Sequence, residues 1–138
     1  MSNTFQKYNL PSALLGALAR MQYEHPTAIQ DQVIPIALTG QDILGSSKTG
    51  SGKTAAFSIP VVAQLMHRPD ASVLVLAPTR ELAEQVAGVM SSMVSGCKHL
   101  RTVLLIGGEP IGKQLMRLRT NPNIIVGTPG RVEDHLCR

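Results

Sequence analysis

The sequence predicts an α/β fold, a parallel sheet with helices on both faces, and two observations carry that expectation. Short apolar runs rich in Val, Ile and Leu, with little polar alternation, are the pattern of strands buried on both faces. Between them lie longer segments whose apolar residues recur at three- and four-residue steps, the period of a helix. Strands and helices that alternate along a chain give a parallel sheet covered on both sides. Ligands bind such sheets at the carboxyl ends of the strands, so candidate site residues are sought there.

The elements follow in order. Ser12–Met21 and Thr27–Leu38 read as helices, the second stopped by Gly40. Ile43–Gly45 reads as a strand leading into the loop 46–52, with a helix starting near Gly52. Val73–Ala77 is the next strand. Leu82, Val86, Val89, Met90, Met93, Val94 and Cys97 then lay one apolar stripe along a helix of about 17 residues beginning near Thr79. Val103–Ile106 and Ile124–Val126 complete the strands. Repeats, linkers and low-complexity tracts are lacking, so residues 1–138 form one domain at most.

Composition narrows the class. The 138 residues are 43% hydrophobic and 16% charged, a globular balance, and with two Phe, two Tyr and no Trp the core must be aliphatic. No apolar run approaches the ~18 residues of a membrane span, and MSNTFQKYNLPSA lacks the layout of a signal peptide. Cys97 and Cys137 stand in no metal-ligand or redox spacing. A reducing cytoplasm is the expected location. The net charge of +4 is unevenly placed: residues 1–97 carry six basic and six acidic side chains, and residues 98–138 carry seven basic and three acidic. A basic last third suits a polyanionic partner.

The stretch Ser47-Lys48-Thr49-Gly50-Ser51-Gly52-Lys53-Thr54 carries the chemistry. Gly50 and Gly52 permit backbone angles closed to other residues and let an anion approach the main chain. Successive N–H groups then point inward at the positive end of the following helix. Lys53 can bridge terminal phosphates, and the Thr54 hydroxyl can take a magnesium position. These two are the candidate catalytic residues, and Thr54 is the candidate metal ligand. A glycine-rich turn before a helix would explain the glycines, but not Lys-Thr directly after them. Ser47 stands where the usual pattern has glycine, a position that needs little of glycine's freedom.

This phosphate loop, with a small non-glycine residue first, resembles that of the DEAD-box ATP-dependent RNA helicases. Further stretches match the family in its order. His25-Pro26-Thr27-Ala28-Ile29-Gln30 is similar to the adenine-reading Q motif, with Phe5 as its isolated upstream aromatic. The resemblance implies that Gln30 pairs with the adenine edge and Phe5 stacks on the base. Thr27-x-x-Gln30 is equally a helix capping box, and Phe5 equally a core residue. Gln22 stands where the family usually has glycine. Downstream, Pro78-Thr79-Arg80 resembles motif Ia, Gly107-Gly108 the GG doublet, and Thr128-Pro129-Gly130-Arg131 motif Ib. Each follows a strand and opens a helix. That arrangement offers backbone N–H groups, Arg80 and Arg131 to an RNA backbone irrespective of base sequence, although Thr at a helix start is also ordinary capping.

The resemblance covers the whole chain and implies the N-terminal part of the first RecA-like lobe of an ATP-dependent RNA helicase that uses ATP and Mg2+. The family's Asp-Glu-Ala-Asp segment and second lobe are expected beyond Arg138. The full-length protein is expected to hydrolyse ATP and unwind duplexes, and residues 1–138 alone to be inactive, with possible self-association through exposed sheet edges. Glu109 follows a strand, but only after two glycines. Two rivals remain at this level: a P-loop kinase or small GTPase, and a catalytically silent truncated module that binds nucleotide or RNA.

Overall fold

A computed structural model describes residues 4–48, 50 and 52–137. After a 3-10 turn at Phe5–Tyr8 come α1 (Ser12–Arg20) and α2 (Ala28–Ala37). Thr27 starts α2 through a complete capping box: its hydroxyl accepts from the Gln30 N–H at 3.4 Å, and the Gln30 side-chain oxygen accepts from the Thr27 N–H at 2.9 Å. Next come α3 (Lys53–His67), β1 (Val73–Leu76), α4 (Arg80–Met93), β2 (Thr102–Leu105), α5 (Ile111–Leu118), β3 (Ile124–Gly127) and α6 (Pro129–Leu136). Thr79 caps α4, accepting from the Leu82 N–H at 3.2 Å, and Pro129 opens α6 at a position where its missing N–H costs nothing.

The three strands form a parallel sheet in the order β1-β3-β2. Val73 pairs with Ile124 and Thr102 with Ile124, so equivalent residues across the sheet share a face. One face presents Val73, Val75, Ile124, Val126 and Leu104 to Ile59, Val62, Val86 and Met90 of α3 and α4. The other presents Val103, Leu105 and Ile125 to Leu118 of α5 and Val132 of α6. Helices therefore cover both faces, as the sequence pattern requires. Asn123 is buried just before β3, and its side-chain amide donates to the Pro69 and Ala71 carbonyls at 2.7 and 3.0 Å, which fixes the approach to β1.

Two expectations are corrected. Ile43–Gly45 is not a strand: residues 41–46 are exposed, Leu44 fully so, and they pair with no strand among the described residues. A strand is defined by the neighbour that takes its hydrogen bonds, and three apolar residues alone do not supply one. On α4 the buried stripe runs through Ala83, Val86, Ala87, Met90 and Met93, and Leu82 is exposed. Leu74 and Leu76 of the edge strand β1 are also more than half exposed. Among the described residues, no helix is long and apolar enough to cross a membrane.

Candidate functional site

The phosphate loop enters α3 through Gly52, whose φ of +90° is left-handed, and Gly50 has φ +82°. A Cβ at Gly52 would lie 2.6 Å from the Gln30 Nε2 and 2.9 Å from the Thr27 Oγ1, so glycine is required there for space as well as conformation. The Gln30 Nε2 donates to the Gly52 carbonyl at 3.2 Å. The residue of the Q motif and the last glycine of the phosphate loop are thus joined directly. Lys53 is exposed, and its ammonium donates to the Ser47 carbonyl at 2.8 Å; Lys48 is exposed and Thr54 half-buried. Thr49 and Ser51 lie outside the described residues.

Gln30 is buried, and among the described residues each end of its amide is engaged once, by the Thr27 N–H and by the Gly52 carbonyl. An amide has two hydrogens and two oxygen lone pairs, so one donor and one acceptor site remain for a bidentate partner. The capping role is therefore realised, and it is compatible with a ligand contact. Phe5 is buried in the core, its ring centroid 6.2 Å from that of Tyr8 and 6.5 Å from that of Tyr23. Phe5, Tyr23, Gln30, Gly52, Lys53 and Thr54 line one cavity of about 1450 Å³, which continues to Val75 and Leu76 of β1 and to Ala77 just after it. Gln22, where the resemblance leads one to expect glycine, adopts φ +64°, a left-handed conformation costly for a residue with a Cβ.

Outside this cavity, Asp31 on α2 accepts from the Tyr8 hydroxyl and pairs with the Lys7 ammonium at 2.9 Å. The Tyr8 bond first, and Lys7 second, hold the Asp31 carboxyl below its ordinary range. Burial, helped by Asp31, pushes the Tyr8 hydroxyl up. These contacts tie the turn that carries Phe5 to the helix that carries Gln30.

At the carboxyl ends of β1, β2 and β3 a second cluster forms. A Cβ on Gly108 would lie 3.0–3.1 Å from the Arg80 Nη2, Cζ and Nη1. The near-equal distances put the flat of the guanidinium over this glycine. Arg131 flanks the other member of the doublet: a Cβ on Gly107 would stand 3.9 Å from its Nη2. The Arg131 Nη1 donates to the Glu109 carbonyl at 3.1 Å and to the Gln114 side-chain oxygen at 3.3 Å. Thr79, Pro78, Pro129 and Gly130 are exposed at the same edge, and Thr128 is half-buried. The three strand-end segments named from sequence therefore converge around Gly107-Gly108.

Gln114 is what sequence reasoning missed. It is fully buried on α5, at a position that continues the inward stripe of Ile111, Leu115 and Leu118. A polar residue at an apolar phase was the available signal. Glu109 is engaged by Arg117 at 2.7 Å and by the Gln114 Nε2 at 3.3 Å, an ion pair rather than a metal carboxylate. Among the described residues, no group of three or more His, Cys, Asp or Glu is placed to hold a metal ion.

Comparison with known proteins decides what this arrangement is. The family model for the DEAD/DEAH box helicase matches residues 27–138. The chain belongs to the DEAD/DEAH box helicase family. It is 46% identical over its whole length to the DEAD-box ATP-dependent RNA helicase CshA of Bacillus subtilis (strain 168), covering 28% of that protein. It is 48% identical to the ATP-dependent RNA helicase DeaD of Escherichia coli (strain K12), with 98% of the chain and 22% of that protein aligned. Its fold is similar to the crystal structure of a DEAD box protein from Methanococcus jannaschii, with TM-score 0.88, 41% identity, and 98% of this chain and 37% of that one covered. It also resembles Prp28 of Chaetomium thermophilum bound to ADP, with TM-score 0.86, 37% identity, and 97% and 34% covered. The architecture is an incomplete RecA-like lobe, and the chain spans about a quarter of the length of the curated relatives it matches. Family membership sets aside the P-loop kinase and small GTPase readings.

Proposed function

We propose that the protein is an ATP-dependent RNA helicase, and that this chain supplies its adenine-reading and phosphate-gripping corner together with part of its RNA-binding edge. One observation carries the reading: the Gln30 carboxamide bonds to the Gly52 carbonyl at 3.2 Å. The group that reads a base edge and the loop that holds phosphates thereby share one cavity. Gln30 offers its remaining donor and acceptor to the adenine edge, and Phe5 presents an aromatic wall. Backbone N–H groups from Ser47 to Gly52 and the start of α3 receive the phosphates. Lys53 leaves the Ser47 carbonyl to neutralise the terminal phosphates. The Thr54 hydroxyl would hold Mg2+, which supplies further charge neutralisation there when bound.

At the strand ends, Arg80, Arg131 and the amides of Gly107, Gly108 and the Thr128–Gly130 segment take an RNA backbone, with no group aimed at base edges in a duplex groove. ATP and RNA together close this lobe on a second one and strain the duplex. Cys97 and Cys137 are free thiols, which suits the cytoplasm as the location. Calorimetric titration of ADP tests the nucleotide half. Lys53→Ala is expected to abolish measurable binding of ADP and ATP; binding within a few-fold of the native protein would refute the assignment.

A further inference from the structure

Gln114 is a neutral amide with no exposed surface, and its geometry fixes which end is which. Its Nε2 lies 2.8 Å from the Ile106 carbonyl and 3.3 Å from the Glu109 Oε1, both of which can only accept. Its Oε1 must therefore accept, from the Arg131 Nη1 at 3.3 Å and from the His135 Nε2 at 2.7 Å. The His135 ring consequently carries a proton on Nε2. One buried side chain thus links the end of β2, the residue after the glycine doublet, and two side chains four residues apart on α6. An amide so placed resists rotation, because turning it would set donor against donor and acceptor against acceptor at both ends.

We infer that Gln114 is a positioning residue for RNA binding: through its side-chain oxygen it fixes the Arg131 guanidinium beside Gly107 and sets the angle between α6 and the glycine doublet. This rests on the proposed role of Arg131 toward RNA phosphates. The arrangement holds Arg131 from one terminal nitrogen, and its other terminal nitrogen stands beside Gly107, at the edge where Arg80 covers Gly108. Without Gln114, Arg131 keeps, among the described residues, the Glu109 carbonyl and a long 3.9 Å approach to Asp134, and a long flexible side chain so loosely held loses affinity to rotamer entropy on binding.

The test uses the protein with a non-hydrolysable ATP analogue, a labelled single-stranded polyuridine as the RNA probe, and ADP affinity as an independent readout. Gln114→Met keeps the volume and removes the hydrogen bonds; it is expected to weaken RNA binding about tenfold and leave ADP affinity unchanged. Arg131→Ala combined with Gln114→Met should be no worse than Arg131→Ala alone. A parallel loss of ADP affinity, or additive losses in the double variant, would each overturn the inference. An Arg131→Ala protein with native RNA affinity would overturn the RNA reading of that arginine and this inference with it. Loss in Arg131→Ala but none in Gln114→Met would overturn the inference alone.

Discussion

The two edges that meet phosphate groups in this reading are built on different foundations. The segment before α3 is exposed from residue 41 through 46 and belongs to no strand, yet its last glycine is fixed, because Thr27 and Gln30 of α2 close against it. The loops after β2 and β3 rise from strands in full register, and they lean on a buried amide, Gln114. One edge is held from a helix cap and the other from the sheet. In this chain the last glycine of the phosphate loop is met by side chains at the start of a helix, whereas the strand-end arginines depend on the sheet that carries them.

The largest effect should come from the point where the cap and the loop meet. Gly52→Ala forces a left-handed alanine and drives a methyl into the Gln30 and Thr27 side chains. A loss of ADP affinity of about 3 kcal/mol, roughly a hundredfold, is expected by calorimetry, with RNA binding in the absence of nucleotide unchanged. Native ADP affinity in this variant would show that the loop is not posed by α2.

Next in size is Gln30→Ala. It should weaken ATP and ADP by about 1–3 kcal/mol and leave the weak binding of GTP unchanged. Equal losses for both bases would mean that Gln30 acts only as the α2 cap.

How much of this was legible in the sequence depended on whether a pattern was local. The caps at Thr27 and Thr79, the extents of α1 and α2, and three of four strands follow from periodicity and turn residues that neighbouring residues determine. The glycine-rich loop with Lys53 and Thr54 was legible for the same reason. Ile43–Gly45 was not, because a strand's existence depends on a distant partner. Nor was the meeting of Arg80 with Gly108 and of Arg131 with Gly107, which joins segments from three separate strand ends. Gln114 escaped because its importance is its burial and its four partners, and composition reveals neither. Only its phase, polar among Ile111, Leu115 and Leu118, marked it.

The smallest expected effect concerns the turn that carries Phe5. The Asp31 carboxyl is depressed by the Tyr8 hydroxyl and by Lys7. Its stabilisation is therefore complete above its ordinary pKa of about 3.9 and is lost as pH falls through the lower value it has in the folded protein. The carboxylate is partly exposed, so the contribution is modest. Tyr8→Phe should lower Tm by roughly 1–3 °C at neutral pH, with the difference from native vanishing in strong acid. A difference that persists or grows on acidification would assign the effect to packing of the ring.

The most direct test of the two-edge account is a crossed titration. ADP and single-stranded RNA affinities are measured for Lys53→Ala and Arg131→Ala, each ligand in the absence of the other. The account predicts that Lys53→Ala loses ADP and keeps RNA. It predicts that Arg131→Ala keeps ADP and loses RNA affinity to the same degree for every base sequence, with a log–log salt slope reduced by about one. Both variants losing both ligands together, or Arg131→Ala losing affinity for one RNA sequence alone, would contradict it.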